Sequence, residues 1–298
     1  MRITSIISDK GGDTKTTTTN ALATGINFLY RKKYNALAIT NEPSGHLPLF
    51  FGLDSDKYPT TYHVAKKEIS FAETIQHTPR GDLINGNGSV NWMDELWRTE
   101  EEKLNLYNLI KDGLSEKEVQ TKYTHAFIDC KPLISGTLII QALVASTDII
   151  VPMKASAGSI KSLLLLHKAI TEIKSTLNPD IKIAGILITR YKNTNIEKAN
   201  IQNLKTWANI NNTKVYNTFI PDGVGIEEAQ AFSENIYEYK YSFGKDKPAK
   251  AYLEFVKEYL SDNIQNNKIL RRIYYVEQKR FRHNQQRLVR IRCNANGT

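Results

Sequence analysis

Residues 8 to 17 read Ser-Asp-Lys-Gly-Gly-Asp-Thr-Lys-Thr-Thr, with Lys10 and Lys15 flanking a Gly11-Gly12 pair and Thr16 and Thr17 following the second lysine. These residue types suit phosphate chemistry. Backbone N–H groups of a glycine-rich turn and of a helix N-terminus point at phosphate oxygens, a lysine neutralises their charge, and a Ser/Thr hydroxyl ligates Mg²⁺. Lys15 and Thr16 fit the last two roles. A strand must enter such a loop and a helix must leave it. Ile3 to Ile7 is a short β-rich run, and Leu22, Ile26, Leu29 and Tyr30 recur at the spacing of an amphipathic helix.

Beyond this first unit, short apolar runs predict strands at Ala36 to Ile39, Ala126 to Ile128, Ile149 to Val151, Ile183 to Ile188 and Val215 to Tyr216. They do not alternate with polar residues, as expected of strands buried on both faces. Helical patterns at Ile160 to Leu177, Ile196 to Ile210 and Ala249 to Leu260 lie among them. Strands alternating with helices imply an α/β fold, a doubly wound, mostly parallel sheet with helices on both faces. Ligands of such sheets bind at the carboxyl ends of the strands. The loop and Asp129 both sit at strand ends, so one nucleotide can meet both. Residues 56 to 124 are polar, with Gly81, Gly86 and Gly88 and a charged helix-like stretch from Asp94 to Leu114, and read as an ordered insertion on one edge of the sheet.

The loop resembles the deviant Walker-A motif of the ParA/MinD family of P-loop ATPases, written roughly Lys-Gly-Gly-x-Gly-Lys-Thr-Thr, whose signature lysine Lys10 matches. Ala36 to Gly45 (Ala-Leu-Ala-Ile-Thr-Asn-Glu-Pro-Ser-Gly) resembles the second strand and the Asp-x-Asp-Pro-Gln-Gly that ends it. His125 to Pro132 (His-Ala-Phe-Ile-Asp-Cys-Lys-Pro) is similar to the Walker-B strand, which normally ends Ile-Asp-x-Pro-Pro. Ala142 to Pro152, Leu187 to Asn195, Ile220 to Ala229 and Ala251 to Leu260 follow in the order of the partition ATPases. The likeness covers about residues 1 to 262, leaving 263 to 298 as a basic C-terminal extension. It implies ATP and Mg²⁺ as cofactors, with Lys10, Gly11, Gly12, Asp13, Thr14, Lys15, Thr16 and Thr17 around the phosphates. Lys10 and Lys15 would be the catalytic lysines, Thr16 and Asp129 the Mg²⁺ ligands, and Thr189, Arg190 and Pro221 neighbours of the adenine. Because the family's signature lysine reaches across an ATP-sandwiched dimer, Lys10 implies an ATP-dependent homodimer.

Three departures from the pattern bear on hydrolysis. Thr14 replaces a glycine; at positive φ a β-branched residue there would store about 1 to 3 kcal/mol of strain. Asp9 and Asp13 put carboxylates beside a triphosphate site, where a like-charge contact at about 4 Å costs roughly 1 kcal/mol in water and about 4 at an effective dielectric of 20. Thr40 stands where the family has its first Asp and cannot act as a carboxylate base, while Glu42 at the second Asp keeps an acid nearby. Weak nucleotide binding and slow or absent hydrolysis follow as expectations from this degenerate motif.

Of the net charge of +9, the stretch from Lys268 to the C-terminus carries +8: Lys268, Arg271, Arg272, Lys279, Arg280, Arg282, Arg287, Arg290 and Arg292 against Glu277. Clustered cations of this kind bind polyanions with strong salt dependence, and Tyr274, Tyr275 and Phe281 among them suit stacking or groove contacts. A solvated basic extension and a short amphipathic membrane helix on Ile269, Ile273 and Val276 are the other readings. The two cysteines, Cys130 and Cys293, are too few for a disulfide framework or a zinc site, and no run suits a signal peptide or a membrane span. The expected protein is therefore cytoplasmic and nucleoid-associated. It would bind DNA non-specifically with a centromere-binding partner of ParB type to segregate a plasmid or other replicon. A non-hydrolysing DNA-binding or regulatory scaffold and a MinD-like membrane-associated ATPase are the alternatives.

Overall fold

The computed structural model describes residues 1–30, 33–132, 136–237 and 247–265. It divides into two compact units, Met1–Phe255 and the chain from Val256 onward. Of the second, the described part is the end of one helix. The basic residues Lys268, Arg271, Arg272, Lys279, Arg280, Arg282, Arg287, Arg290 and Arg292 lie outside the described residues.

The elements run β1 (Arg2–Ile6), α1 (Lys15–Tyr30), β2 (Ala36–Asn41), α2 (His46–Phe50), α3 (Thr61–Ala65), β3 (Ile75–Thr78), β4 (Gly81–Ile84), α4 (Glu100–Ser115), α5 (Lys117–Lys122) and β5 (His125–Cys130). They continue through α6 (Thr137–Ala145), β6 (Asp148–Met153), α7 (Ser159–Thr176), β7 (Lys182–Ile188), α8 (Asn195–Ile210), α9 (Gly225–Ala231) and α10 (Lys247–Gln265). One sheet holds the strands in the order β3-β4-β2-β5-β1-β6-β7. Every neighbouring pair is parallel except β3 with β4. All residues of β2, β5 and β6 are buried, so helices cover both faces, as the unbroken apolar runs predict.

This order decides where a ligand can sit. After β1 the chain moves to β2 on one side, and it later crosses to β6 on the other, so the loop leaving β1 opens at a topological switch point. The loop is aimed by α1, whose Leu22 and Ile26 are fully buried. Each such side chain contributes about 1.5 to 3 kcal/mol.

Two expectations are corrected. Val215–Tyr216 forms no strand: Val215 makes a single parallel bridge to Ile186. Two backbone hydrogen bonds to Ile186, at 2.8 and 2.9 Å, hold the segment, together with the Tyr216 ring, which lies against the backbone of Gly185, where a Cβ would approach it to 2.6 Å, and meets Phe255 edge-on at 4.8 Å. The polar segment 56 to 124 does extend one edge of the sheet, but through strands β3 and β4, and its helical stretch is broken. A 3₁₀ turn over Gly88–Glu95 precedes α4, which starts at Glu100 because Thr99 and Glu102 form a reciprocal capping box.

Candidate nucleotide site

Register places the central acid. Asp129, the penultimate residue of β5, lies between Ile6 of β1 and Thr40 of β2 and is fully buried. Neither of its oxygens has a hydrogen bond of ordinary geometry. Burial, and then the charge of Glu42, push its pKa up to about 8, against the hydroxyls of Thr16 and Thr19 and the ammonium of Lys15, which pull it down. Glu42 is buried. One of its oxygens accepts from the N–H and hydroxyl of Ser44 at 2.9 and 2.5 Å, and the other has no partner. A buried carboxylate with open lone pairs is costly unless something supplies charge, and oxygen donors such as those of Asp129 and Thr16 suit a hard cation. The donor chemistry here therefore fits Mg²⁺, which Asp129 and Thr16 would hold.

The loop keeps a left-handed path at Gly12 (φ 75°) and Thr14 (φ 63°). Thr14 thus pays the predicted strain, and its carbonyl accepts the first helical bond of α1 from Thr18 N–H at 2.8 Å. Lys15, 7% exposed, folds back over the loop and donates to the Lys10 carbonyl at 2.8 Å and the Ser8 hydroxyl at 3.2 Å. Burial lowers its pKa, and the charges of Asp129 and Asp13 oppose that shift. An ammonium held on backbone and hydroxyl oxygens can exchange them for phosphate oxygens.

Asp13 is also buried, at 5% exposure. Burial raises its pKa; Lys15, Lys154 and Lys10 attract the charged form and limit the rise. Lys10 is exposed and stretches toward the start of α7, where a Cβ on Gly158 would come within 3.0 Å of its ammonium. Thr40 is fully buried with its hydroxyl unpartnered, so no base stands at that place.

Beside the loop, a cavity is lined by Thr14, Thr17, Arg190, Pro221, Tyr252 and Pro248, among others. Arg190, at φ 52°, pairs with Asp222 at 3.0 Å, and Lys192 reaches the same carboxylate at 3.2 Å. Burial pushes Asp222 up, but the hydrogen bonds from Arg190 and Lys192 outweigh it and hold its carboxyl below the usual range. Arg190 and Pro221 therefore meet the loop at one cavity, whereas Thr189 is fully buried behind it, its N–H on the Met153 carbonyl at 2.9 Å. Sequence reasoning missed Ser8, Lys154 and Tyr252. The signal for Tyr252 was the apolar stripe of its helix, which does not reveal which member faces the loop. Cys130 is buried, its thiol pushed up by burial and then by Asp129, as suits an unreactive core residue.

A family model described as AAA domain matches residues 1–183. The chromosome partitioning protein ParA of Caulobacter vibrioides is 27% identical over 265 residues, covering 88% of this chain and 94% of the relative. A Mycobacterium smegmatis structure described as cobyrinic acid a,c-diamide synthase with bound ADP and magnesium superposes with a TM-score of 0.71 at 22% identity, covering 90% of this chain and 96% of that one. A putative plasmid partition protein of Borrelia burgdorferi B31 bound to AMPPNP gives 0.67 at 22% identity, covering 88% and 99%. The two structures share the fold. With the switch-point loop, its two lysines and the buried strand-end acid, the matches establish that the chain belongs to this family, as a ParA/MinD-type P-loop ATPase fold.

Proposed function

We infer that the protein is a ParA-like partition ATPase that binds ATP with Mg²⁺, dimerises in that state and binds DNA non-specifically to segregate a plasmid or other replicon. The observation that carries the reading is the pairing of Lys15, parked on exchangeable oxygen acceptors, with Asp129, buried and unsatisfied at the same loop. Such an arrangement is stabilised by a ligand that brings both an anion and a cation. Lys15 would bind the β- and γ-phosphates, with the N–H groups of Gly11 to Thr17 around them, Thr16 and Asp129 would hold the metal, and Arg190 and Pro221 would flank the adenine. Mg²⁺ supplies charge neutralisation at the transferred phosphoryl group. Lys10, exposed beside the start of α7, would complete a partner's site in a homodimer.

Positioning and electrostatics dominate phosphoryl transfer. The retained lysines and acid therefore support slow turnover, while Thr14 and Thr40 favour a chain that binds and does not cleave. A ParB-type partner and nucleoid attachment through the basic residues from Lys268 onward belong to the same reading. Phosphate release with and without DNA, together with DNA pelleting across a salt series, tests it. Turnover with salt-dependent DNA binding supports the partition ATPase. DNA binding with nucleotide bound but not cleaved supports the scaffold, and pelleting with anionic liposomes but not DNA supports a MinD-like role. Unchanged DNA affinity and salt slope after deletion of residues 268 to 298 would remove the tail from the account.

A further inference from the structure

A second cavity, of about 680 Å³, opens among the turns that enter β2, β4 and β5. Lys33 precedes β2, Arg80 and Asp82 flank Gly81 at the start of β4, and Lys122 precedes β5. The cavity therefore lies at the amino ends of these parallel strands, away from the phosphate loop, which leaves the carboxyl end of β1. Its volume suits a small organic molecule. Its lining carries three cations, Lys33, Arg80 and Lys122, and one acid, Asp82. The acid is already engaged: Asp82 accepts from the Tyr123 hydroxyl at 2.5 Å and meets His77 and Lys122 at 3.0 and 3.2 Å.

Arg80 has no such partner. One Nη of its half-buried guanidinium donates to the main-chain carbonyls of Phe50, at 3.1 Å, and of Ser233, and no carboxylate pairs with it among the described residues. A guanidinium carries five N–H donors in a fixed fork, so two carbonyls on one nitrogen hold it in place and leave the other nitrogens to a ligand. Asn27, also in the lining, accepts the Ala36 N–H on its Oδ1 at 3.1 Å. That bond fixes the amide and leaves its Nδ2 as the donor beside Gly81, where a Cβ would come within 3.0 Å of it. Phe28 of α1 lines the same cavity at 56% exposure, with Tyr237 stacked on it at 5.9 Å between ring centroids.

We propose that this cavity binds a phosphorylated small molecule of nucleotide size, with its phosphate on the Arg80 fork and its planar ring against Phe28. A guanidinium fork matches phosphate oxygens bidentately, Lys33 and Lys122 add positive charge around it, and an exposed phenyl ring offers a base a stacking face.

The test is calorimetric titration of guanosine monophosphate, and separately of inorganic phosphate, into the full chain carrying Lys15→Ala, so that the phosphate loop does not compete. Saturable binding of the nucleotide is expected, weakened about 20-fold or more by Arg80→Gln, which keeps an N–H donor for the two carbonyls and removes the charge and the fork. Phe28→Ala should weaken the nucleotide about five-fold and leave inorganic phosphate unchanged. Arg80→Lys keeps the charge without the fork and should cost about five-fold; it decides the matter if calorimetric melting shows that Arg80→Gln unfolds. No binding of the nucleotide, or equal affinity with Arg80 and with either replacement, would overturn the proposal. Inorganic phosphate binding as tightly as the nucleotide would show an anion site without a ring contact, and binding of a short single-stranded DNA without the mononucleotide would show a nucleic-acid contact; either would overturn the assigned ligand class. These outcomes are independent of the ATPase reading, which stands or falls on Lys15.

Discussion

The two ends of the central strands treat polar groups in opposite ways. At the amino ends, Arg2 pairs with Asp148 at 2.7 Å, and Tyr123 and Lys122 both converge on Asp82, at 2.5 and 3.2 Å. His125 there packs edge-on against Tyr34 and stacks on Phe127, while Thr124 lies within hydrogen-bond distance of its ring. At the carboxyl ends, Asp129 has no hydrogen bond of ordinary geometry, Glu42 is half satisfied, the Thr40 hydroxyl is unpartnered, and Thr14 is strained. One end pairs its carboxylates with its own side chains; the other leaves carboxylates that a cation would satisfy. Single unpartnered polar atoms are buried elsewhere too, Asp148 Oδ1 among them, but Asp129 is the described carboxylate that has both oxygens buried without a hydrogen bond of ordinary geometry, and that marks the site.

The contrast can be broken most forcefully at Lys15. Lys15→Ala should weaken Mg²⁺-nucleotide binding at least about 100-fold, because it removes the charge facing the phosphates, and leave the melting temperature within a few degrees, as seen by calorimetry. Arg2→Ala at the opposite end should do the reverse. It removes the shortest partner of the buried Asp148 carboxylate, leaving Thr147 and Lys182, and costs about 2 kcal/mol of stability in denaturant unfolding, with nucleotide affinity unchanged.

Acid should distinguish the two ends as well. Burial, then Arg2 and the N-terminal ammonium, depress the His125 pKa to about 3. A group with a depressed folded-state pKa binds its proton more readily when unfolded, so its contribution is intact above pH 6.5 and is lost as pH falls toward 3. By pH 5 the loss is about 2 kcal/mol, and His125→Gln should flatten the stability profile between pH 6.5 and 5. A smaller effect is expected at Asp129. Asp129→Asn removes a desolvated carboxylate and should raise the stability of the nucleotide-free chain by about 1 kcal/mol, while abolishing the Mg²⁺ dependence of binding. If it destabilises the free chain instead, the acid is structural.

Much of this site was legible in the sequence because its parts are local. The loop, the strand before it and the helix after it lie between Arg2 and Tyr30, and Asp129 ends an apolar run whose burial on both faces follows from its composition. The β3–β4 pair was not legible. Ile75–Thr78 and Gly81–Ile84 are four residues each, and β3 is only half-buried, so they carry little apolar pattern. Tyr252 escaped because a helical stripe does not identify a hydroxyl contact 234 residues away in sequence, here with Thr18. Asp13 read, on charge alone, as a carboxylate set against a triphosphate. Its burial is a property of the folded loop, in which Lys15, Lys154 and Lys10 surround it with positive charge.

The most direct test of the account is titration of a fluorescent ATP analogue with Mg²⁺ into the native chain, Lys15→Ala and Arg2→Ala in parallel. Saturable binding to the native chain and to Arg2→Ala, lost in Lys15→Ala and on chelating the metal, is the predicted result. Equal signals from the native chain and Lys15→Ala, or none from either, would contradict it and leave an inherited fold whose open carboxylates serve no nucleotide.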